Sequence, residues 1–137
     1  MKLCEELNKE VKMSTSEAID NNTYLGGYLN ALLFVGTDEE DNPLDDEHDI
    51  DDIDKDSVKK SEKDIAKFLK MAKKELEGIE ADDSQIGHDI LMTRQGTGVG
   101  FLDRDYADDA ILKKLDGYAD KLGSVSPFAE NGTVGID

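Results

Sequence analysis

Tryptophan is absent from this 137-residue chain, and there is one cysteine and only two prolines. A single thiol, Cys4, excludes an internal disulfide framework and leaves a cysteine-rich zinc site without ligands. Four Phe and four Tyr are the only aromatics, so aliphatic side chains must supply most of any core. Apolar residues make up 37% of the chain, and no stretch approaches the roughly 20 consecutive apolar residues of a membrane-spanning helix. The opening Met1-Lys2-Leu3-Cys4-Glu5-Glu6 carries acids where a secretory signal needs an apolar run. The expected setting is the cytoplasm.

Acid is abundant. Thirty-three Asp and Glu against sixteen Lys and Arg give a net charge of −17, far outside the usual range for a small domain. Such a chain repels bare nucleic acid and anionic membranes and favours basic surfaces. The acidity is concentrated: residues 36–56 hold twelve acids and one lysine, whereas residues 57–80 hold seven lysines and five acids. A length of 137 residues fits one domain, with the acidic block as a loop between its first two main helices.

Apolar spacing places the helices. Tyr24, Leu25, Tyr28, Leu29, Leu32 and Leu33 form one stripe and predict a helix over 16–35, with Ser14, Thr15 and Ser16 as N-cap candidates. Gly26-Gly27 within it weakens the helix by about 1 kcal/mol per residue, or admits a closely packed neighbour. Residues 1–13 form a short helix of their own or fray. Val58, Ile65, Phe68, Leu69, Ala72 and Leu76 predict a second helix over 57–77, with Ser57 as its cap and Gly78 as its terminator. Its lysines occupy the other faces, and compensation of the acidic loop is their expected role. Ile111, Leu112, Leu115, Tyr118, Ala119 and Leu122 predict a third over 108–122.

Two hairpins are expected. Ile90–Thr93 and Val99–Leu102 flank a Gly-containing connection, Arg94 to Gly98; Ser124–Ala129 and Thr133–Ile136 flank Glu130-Asn131-Gly132. The predicted fold is α+β, about three helices on one face of a small antiparallel sheet.

The run Gly87-His88-Asp89, then Thr93-Arg94, Gly96, Gly98, Gly100-Phe101 and Asp103-Arg104, resembles a small uncharacterised protein family of tailed bacteriophages. Its members carry a similar G-H-D-x-x-x-T-R-x-G-x-G-x-G-F-x-D-R segment. The resemblance extends to Thr37-Asp38-Glu39, Pro43-Leu44-Asp45 and Ile50-Asp51-Asp52-Ile53, where the family has an acidic loop, and to the terminal hairpin. Ile90, Leu91 and Leu102 stand where the family has aromatics, and Thr97 replaces a frequent histidine. The resemblance implies a phage-encoded accessory protein of the host cytoplasm and brings no activity with it.

The candidate sites each have a plain structural alternative. Asp52, Asp54 and Asp56 match positions 1, 3 and 5 of an EF-hand-like calcium loop, but Ser57 stands where Gly is needed and Lys63 where a bidentate Glu is needed. A solvated loop with Ile50 and Ile53 dipping into the core is preferred. His48, His88 and Cys4 have no metal-ligand spacing. His88-Asp89 with Arg94 or Arg104 offers an acid–base pair beside an anion holder, without a nucleophile or cofactor cradle. Gly96, Gly98 and Gly100 precede a strand in this reading, not the helix a dinucleotide fingerprint requires. For His88, Asp89, Thr93, Arg94, Asp103 and Arg104 the favoured role is a polar network bracing a hairpin.

The expected function is non-catalytic and needs no metal or cofactor: an acidic interaction protein that occupies a basic, nucleic-acid-binding surface on a host protein, as DNA-mimic and anti-defence inhibitors do. The contact residues expected from charge are Asp38, Glu39, Glu40, Asp41, Asp45, Asp46, Glu47, Asp49, Asp51, Asp52, Asp54 and Asp56. The alternatives are a small enzyme or ligand binder centred on His88–Arg104, and a calcium-binding loop. A phage accessory protein whose acidity serves only solubility is the third class.

Overall fold

A computed structural model describes residues 20–37, 40–97 and 99–136. Two largely buried helices form its centre, the first almost wholly apolar and the second carrying buried polar side chains as well. In α1 (Tyr24–Val35) the residues from Gly26 to Leu33 are buried except Asn30. In α4 (Asp83–Arg94) Ile86, Gly87 and every residue from Asp89 to Arg94 are buried. The two share the largest interface among the described elements, and glycine makes it possible. A β-carbon on Gly27 would lie 1.9 Å from the Ser84 carbonyl oxygen, and one on Gly87 would lie 1.9 Å from that of Tyr24. The helices therefore cross backbone against backbone at Gly27, whereas Gly26 faces the backbone of Asp20 and Asn21 just before α1.

Around this pair lie α2 (Lys55–Met71), a one-turn α3 (Lys73–Leu76) and α5 (Asp109–Asp120). Phe68 of α2 stacks on Phe101 at 5.4 Å between ring centroids and meets Tyr118 of α5 edge-on at 6.5 Å. Both Phe rings are fully buried. With so few aromatics, this cluster takes a large share of the bulky side chains. The hairpin β1 (Pro127–Glu130) and β2 (Thr133–Ile136) pairs Pro127 with Ile136 and Glu130 with Thr133. Its two-residue turn, Asn131-Gly132, has positive φ at both positions, the geometry that suits the strand twist.

The α+β class holds, with a helix-dominated balance: among the described residues there are five α-helices and one two-stranded sheet. The expected hairpin over 90–102 is corrected. Ile90–Thr93 is the last full turn of α4, and Phe101–Asp103 is a single 3-10 turn. A helix buried on most sides loses its 3.6-residue alternation, and a short apolar run then reads equally as strand. Gly96 ends α4. Gly96 N–H donates to Thr93 O and Thr97 N–H to Met92 O, with φ of 71° at Gly96, which is the Schellman arrangement that favours glycine.

The helix boundaries also shift. α1 begins after Thr23, whose hydroxyl accepts from Gly26 N–H; the expected caps at 14–16 lie outside the described residues, as do Cys4 and the helix expected over 1–13. α2 begins two residues before Ser57, because Asp54 accepts from Ser57 N–H at 2.7 Å. The Ser57 hydroxyl instead accepts from Ile136 N–H at 2.9 Å, tying β2 to the first turn of α2. The helix breaks at Ala72. No helix among the described residues is long and apolar enough to cross a membrane.

Candidate functional site

The residues singled out between Gly87 and Tyr106 divide into two clusters, set back to back by successive turns of α4. The first is closed. Arg94, 6% exposed, spends its donors on Asp64 Oδ2 and the Tyr28 hydroxyl, both at 2.8 Å, and on the carbonyls of Leu122 and Gly123. The guanidinium thus satisfies orphan carbonyls after α5 while neutralising a carboxylate of α2. Burial pushes the Tyr28 phenol up, against the opposing pull of Arg94. Beside it Gln95 holds the chain after α5: its amide nitrogen donates to Val125 O and its carbonyl accepts from Val125 N–H.

The second cluster opens to solvent. Asp89 has no accessible side-chain surface, and four residues donate to it. Arg104 reaches it through Nε and Nη2 at 2.8–3.1 Å, the Tyr106 hydroxyl at 2.6 Å, Gln85 Nε2 at 3.0 Å and His88 Nδ1 at 3.2 Å. Burial alone would raise the Asp89 pKa. The donors from His88, Arg104, Tyr106 and Gln85 outweigh it, and the pKa is lowered. An ionised carboxylate only accepts, so the His88 proton sits on Nδ1 and Nε2 is left outward. Burial and the adjacent Asp89 carboxylate push the Tyr106 phenol far above its ordinary range, and the hydrogen bonds that Arg104 donates to Asp89 raise the Arg104 pKa.

Over this cluster lies a cleft of about 340 Å³ between the start of α1 and α4. Gly27 forms part of its lining, with Asn21 and Asn30 on one side and Ser84, Gln85, His88 and Arg104 on the other. Gln85, Ser84 and Tyr106 carried no signal in the sequence reading. Gln85 and Asp89, like Ser84 and His88, are one helical turn apart, a relation that exists only where 83–94 is a helix.

The expected network around His88, Asp89, Thr93, Arg94, Asp103 and Arg104 therefore holds only in pieces. Asp89, His88 and Arg104 meet; Arg94 belongs to the other cluster. Thr93 binds the following segment through its hydroxyl, which accepts from Phe101 N–H at 3.1 Å, and Gly100 lies against it. Asp103 is exposed and makes no hydrogen bond through its side chain among the described residues. Gly98 lies outside the described residues.

The acidic segment is built into the fold by three apolar anchors, Leu44, Ile50 and Ile53, each at most 6% exposed. Leu44 N–H donates to Gly36 O, Thr37 bridges to Pro43, and Asp54 N–H donates to Val134 O beside the Ile53–Val134 bridge. Asp49 and Asp52 form a capping box around the 3-10 turn Ile50–Asp52, Asp52 faces His48 at 3.5 Å, and Asp54 caps α2. Glu40, Asp41, Asp45, Asp46, Glu47, Asp49, Asp51 and Asp56 are exposed; Asp38 and Glu39 lie outside the described residues. Two of the three carboxylates in the calcium reading are thus occupied with capping or His48. Among the described residues no group of three or more His, Cys, Asp or Glu is placed to hold a metal ion.

Among the described residues none of Lys59, Lys60, Lys63, Lys67 and Lys70 is in an ion pair, so the expected compensation is at most long-range. Comparison with known protein families, with curated proteins and with solved structures gives no match.

Proposed function

We propose that the chain is a non-catalytic acidic interaction module whose partner is a protein with a basic, nucleic-acid-binding surface. The observation that carries this reading is the fixed backbone of the acidic segment. Leu44, Ile50 and Ile53 are buried while Asp45, Asp46, Glu47, Asp49 and Asp51 between them face water. Carboxylates held on a fixed backbone meet a basic groove without the ordering cost a disordered acidic tail carries. They displace counterions and steer encounter as a phosphate backbone does. The resemblance to a phage family sets the partner among host proteins, and inhibition by occupying its nucleic-acid channel is the corresponding role.

The test is affinity capture from host lysate, followed by titration of the purified partner at about 50 and 200 mM NaCl, the range over which phosphate-like contacts lose most of their affinity. Binding should fall at least tenfold or so across that range, compete with duplex DNA, and weaken in the triple variant D45N/D46N/E47N. Salt-independent binding, or full affinity in the triple variant, removes the reading.

A further inference from the structure

We infer that the cleft over Asp89 binds a small oxyanion, the carboxylate or phosphate of a small ligand, through the outer edge of Arg104, the His88 ring and the Asn21 amide. This site is separate from the acidic segment and stands or falls independently of it.

Charge distribution is the first ground. Acids make up 33 of 137 residues, yet none of the seven residues lining the cleft is an acid. The lining instead holds one of the two arginines in the chain and one of its two histidines. The lining is thus free of carboxylates, although Asp89 lies beneath it and Asp82 accepts from Ser84 at its rim.

The second ground is how those two side chains are held. Asp89 grips Arg104 through Nε and Nη2 and His88 through Nδ1. Nη1 of Arg104 has no hydrogen-bond partner among the described residues, nor does Nε2 of His88. Their side chains keep 28% and 35% exposure. A buried carboxylate that holds the inner nitrogens of two cleft residues fixes the direction of the outer ones, which is how a supporting layer preorganises a binding shell. Arg94 provides the contrast within the same helix: all three of its nitrogens are bonded to protein, and its side chain is only 3% exposed.

The third ground is the remaining donor. Asn30 Nδ2 donates to Asn21 Oδ1 at 2.8 Å and to Gly26 O at 3.0 Å. That fixes the Asn21 amide with its nitrogen making no hydrogen bond among the described residues. Arg104 Nη1 and Asn21 Nδ2 are donors, and His88 Nε2 donates when the ring is protonated or accepts from a protonated phosphate oxygen. Asp89 offsets the Arg104 charge, so binding is expected to be weak, on the order of 1 mM, a few charge-assisted hydrogen bonds in water.

The experiment is a set of ¹H–¹⁵N titrations of the full chain with inorganic phosphate, with acetate and with sodium chloride at matched ionic strength. The readouts are the Arg104 Nε–H and the backbone amides of Gln85 and His88. Saturable shifts with phosphate, acetate or both, and none with chloride, support the site and say which oxyanion it takes. His88→Ala should then weaken phosphate binding about tenfold, the equivalent of one charge-assisted bond, and Asn21→Ala should weaken binding of either oxyanion. Melting curves of both variants verify that they fold. Shifts that do not saturate, that chloride reproduces, or that neither folded variant alters would overturn the site.

Discussion

Replacing Asp89 by Asn tests whether the Arg104–Asp89 pair holds the 99–106 segment to α4. The substitution is nearly isosteric, so packing is preserved and the change is electrical. One oxygen that accepts from several donors becomes an amide that itself donates, and Arg104 loses its counter-charge. Breaking a buried pair from one side costs about 3–5 kcal/mol. Arg104 is 28% exposed and can rehydrate, which places the expected loss near the lower end, about 3 kcal/mol. For a chain of this size that is a fall in Tm of roughly 10 °C. Asp103→Asn, at an exposed carboxylate one residue away, should change stability by less than about 0.5 kcal/mol.

The pH dependence gives the same prediction a second edge. Asp89 has a lowered pKa in the folded protein, so its stabilisation is complete above the unfolded value of about 4 and is lost as pH falls through the folded value. Protonating the many exposed acids first relieves self-repulsion, and the loss at Asp89 follows. In Asp89→Asn that acid loss should shrink. Tyr106 works at the other end. Its raised pKa means that the neutral donor stabilises fully below about pH 10 and loses that contribution as pH rises toward the folded value. Urea titrations between about pH 3 and 12, read by circular dichroism, cover the acid limb and the onset of the alkaline one. A variant within about 1 kcal/mol of the parent at neutral pH, with an unchanged acid limb, would refute the assignment of the segment's anchorage to this pair.

Two further outcomes follow from the packing. Gly27→Ala and Gly87→Ala each force a β-carbon onto a backbone carbonyl of the facing helix, and should destabilise by at least about 1–3 kcal/mol. Gly117→Ala, in α5 with open space around it, should stabilise by about 0.4–1 kcal/mol; chemical denaturation of the three variants gives the signs. Arg94→Met leaves Asp64, Tyr28 and the carbonyls of Leu122 and Gly123 without their donor, an expected loss of about 3–5 kcal/mol. Asp64→Asn keeps an acceptor oxygen but leaves the Arg94 side chain, 3% exposed, without its counter-charge, and should also cost about 3 kcal/mol or more in the same assay.

What the sequence made legible depended on which faces are wet. α2 and α5 carry one apolar stripe against charged faces; α5 appears within two residues of its expected bounds, and the helix expected over 57–77 appears as α2 and α3 with a break at Ala72. The terminal hairpin was readable from Asn131-Gly132, because the turn chemistry is local. α4 was not, since it is buried between neighbours and shows no alternation. Losing that helix also lost the site. With 90–102 read as strands, Arg94 and Asp89 fall on one hairpin, whereas a helix turns them to different sides. The T-R-Q-G run did hold the correct signal, a basic residue followed by a glycine C-cap, but the same glycine serves equally as a hairpin turn.

The helix caps change what the charge of −17 says about partners. Asp49, Asp54, Asp82 and Asp108 each accept a backbone N–H at the start of a helical segment, where a carboxylate offsets the positive end of the helix. Asp64 and Asp89 neutralise the two arginines. These acids have structural work, and none of it requires a basic partner. Total charge therefore overstates the case for an interaction surface. The case rests on the acids left over, chiefly Asp41, Asp45, Asp46, Glu47, Asp51 and Asp56, which are exposed on a backbone fixed by Leu44, Ile50 and Ile53. Solubility alone is served as well by acids scattered over every face. A cluster held at one place costs self-repulsion, and that local cost is what an interaction with a basic surface would relieve.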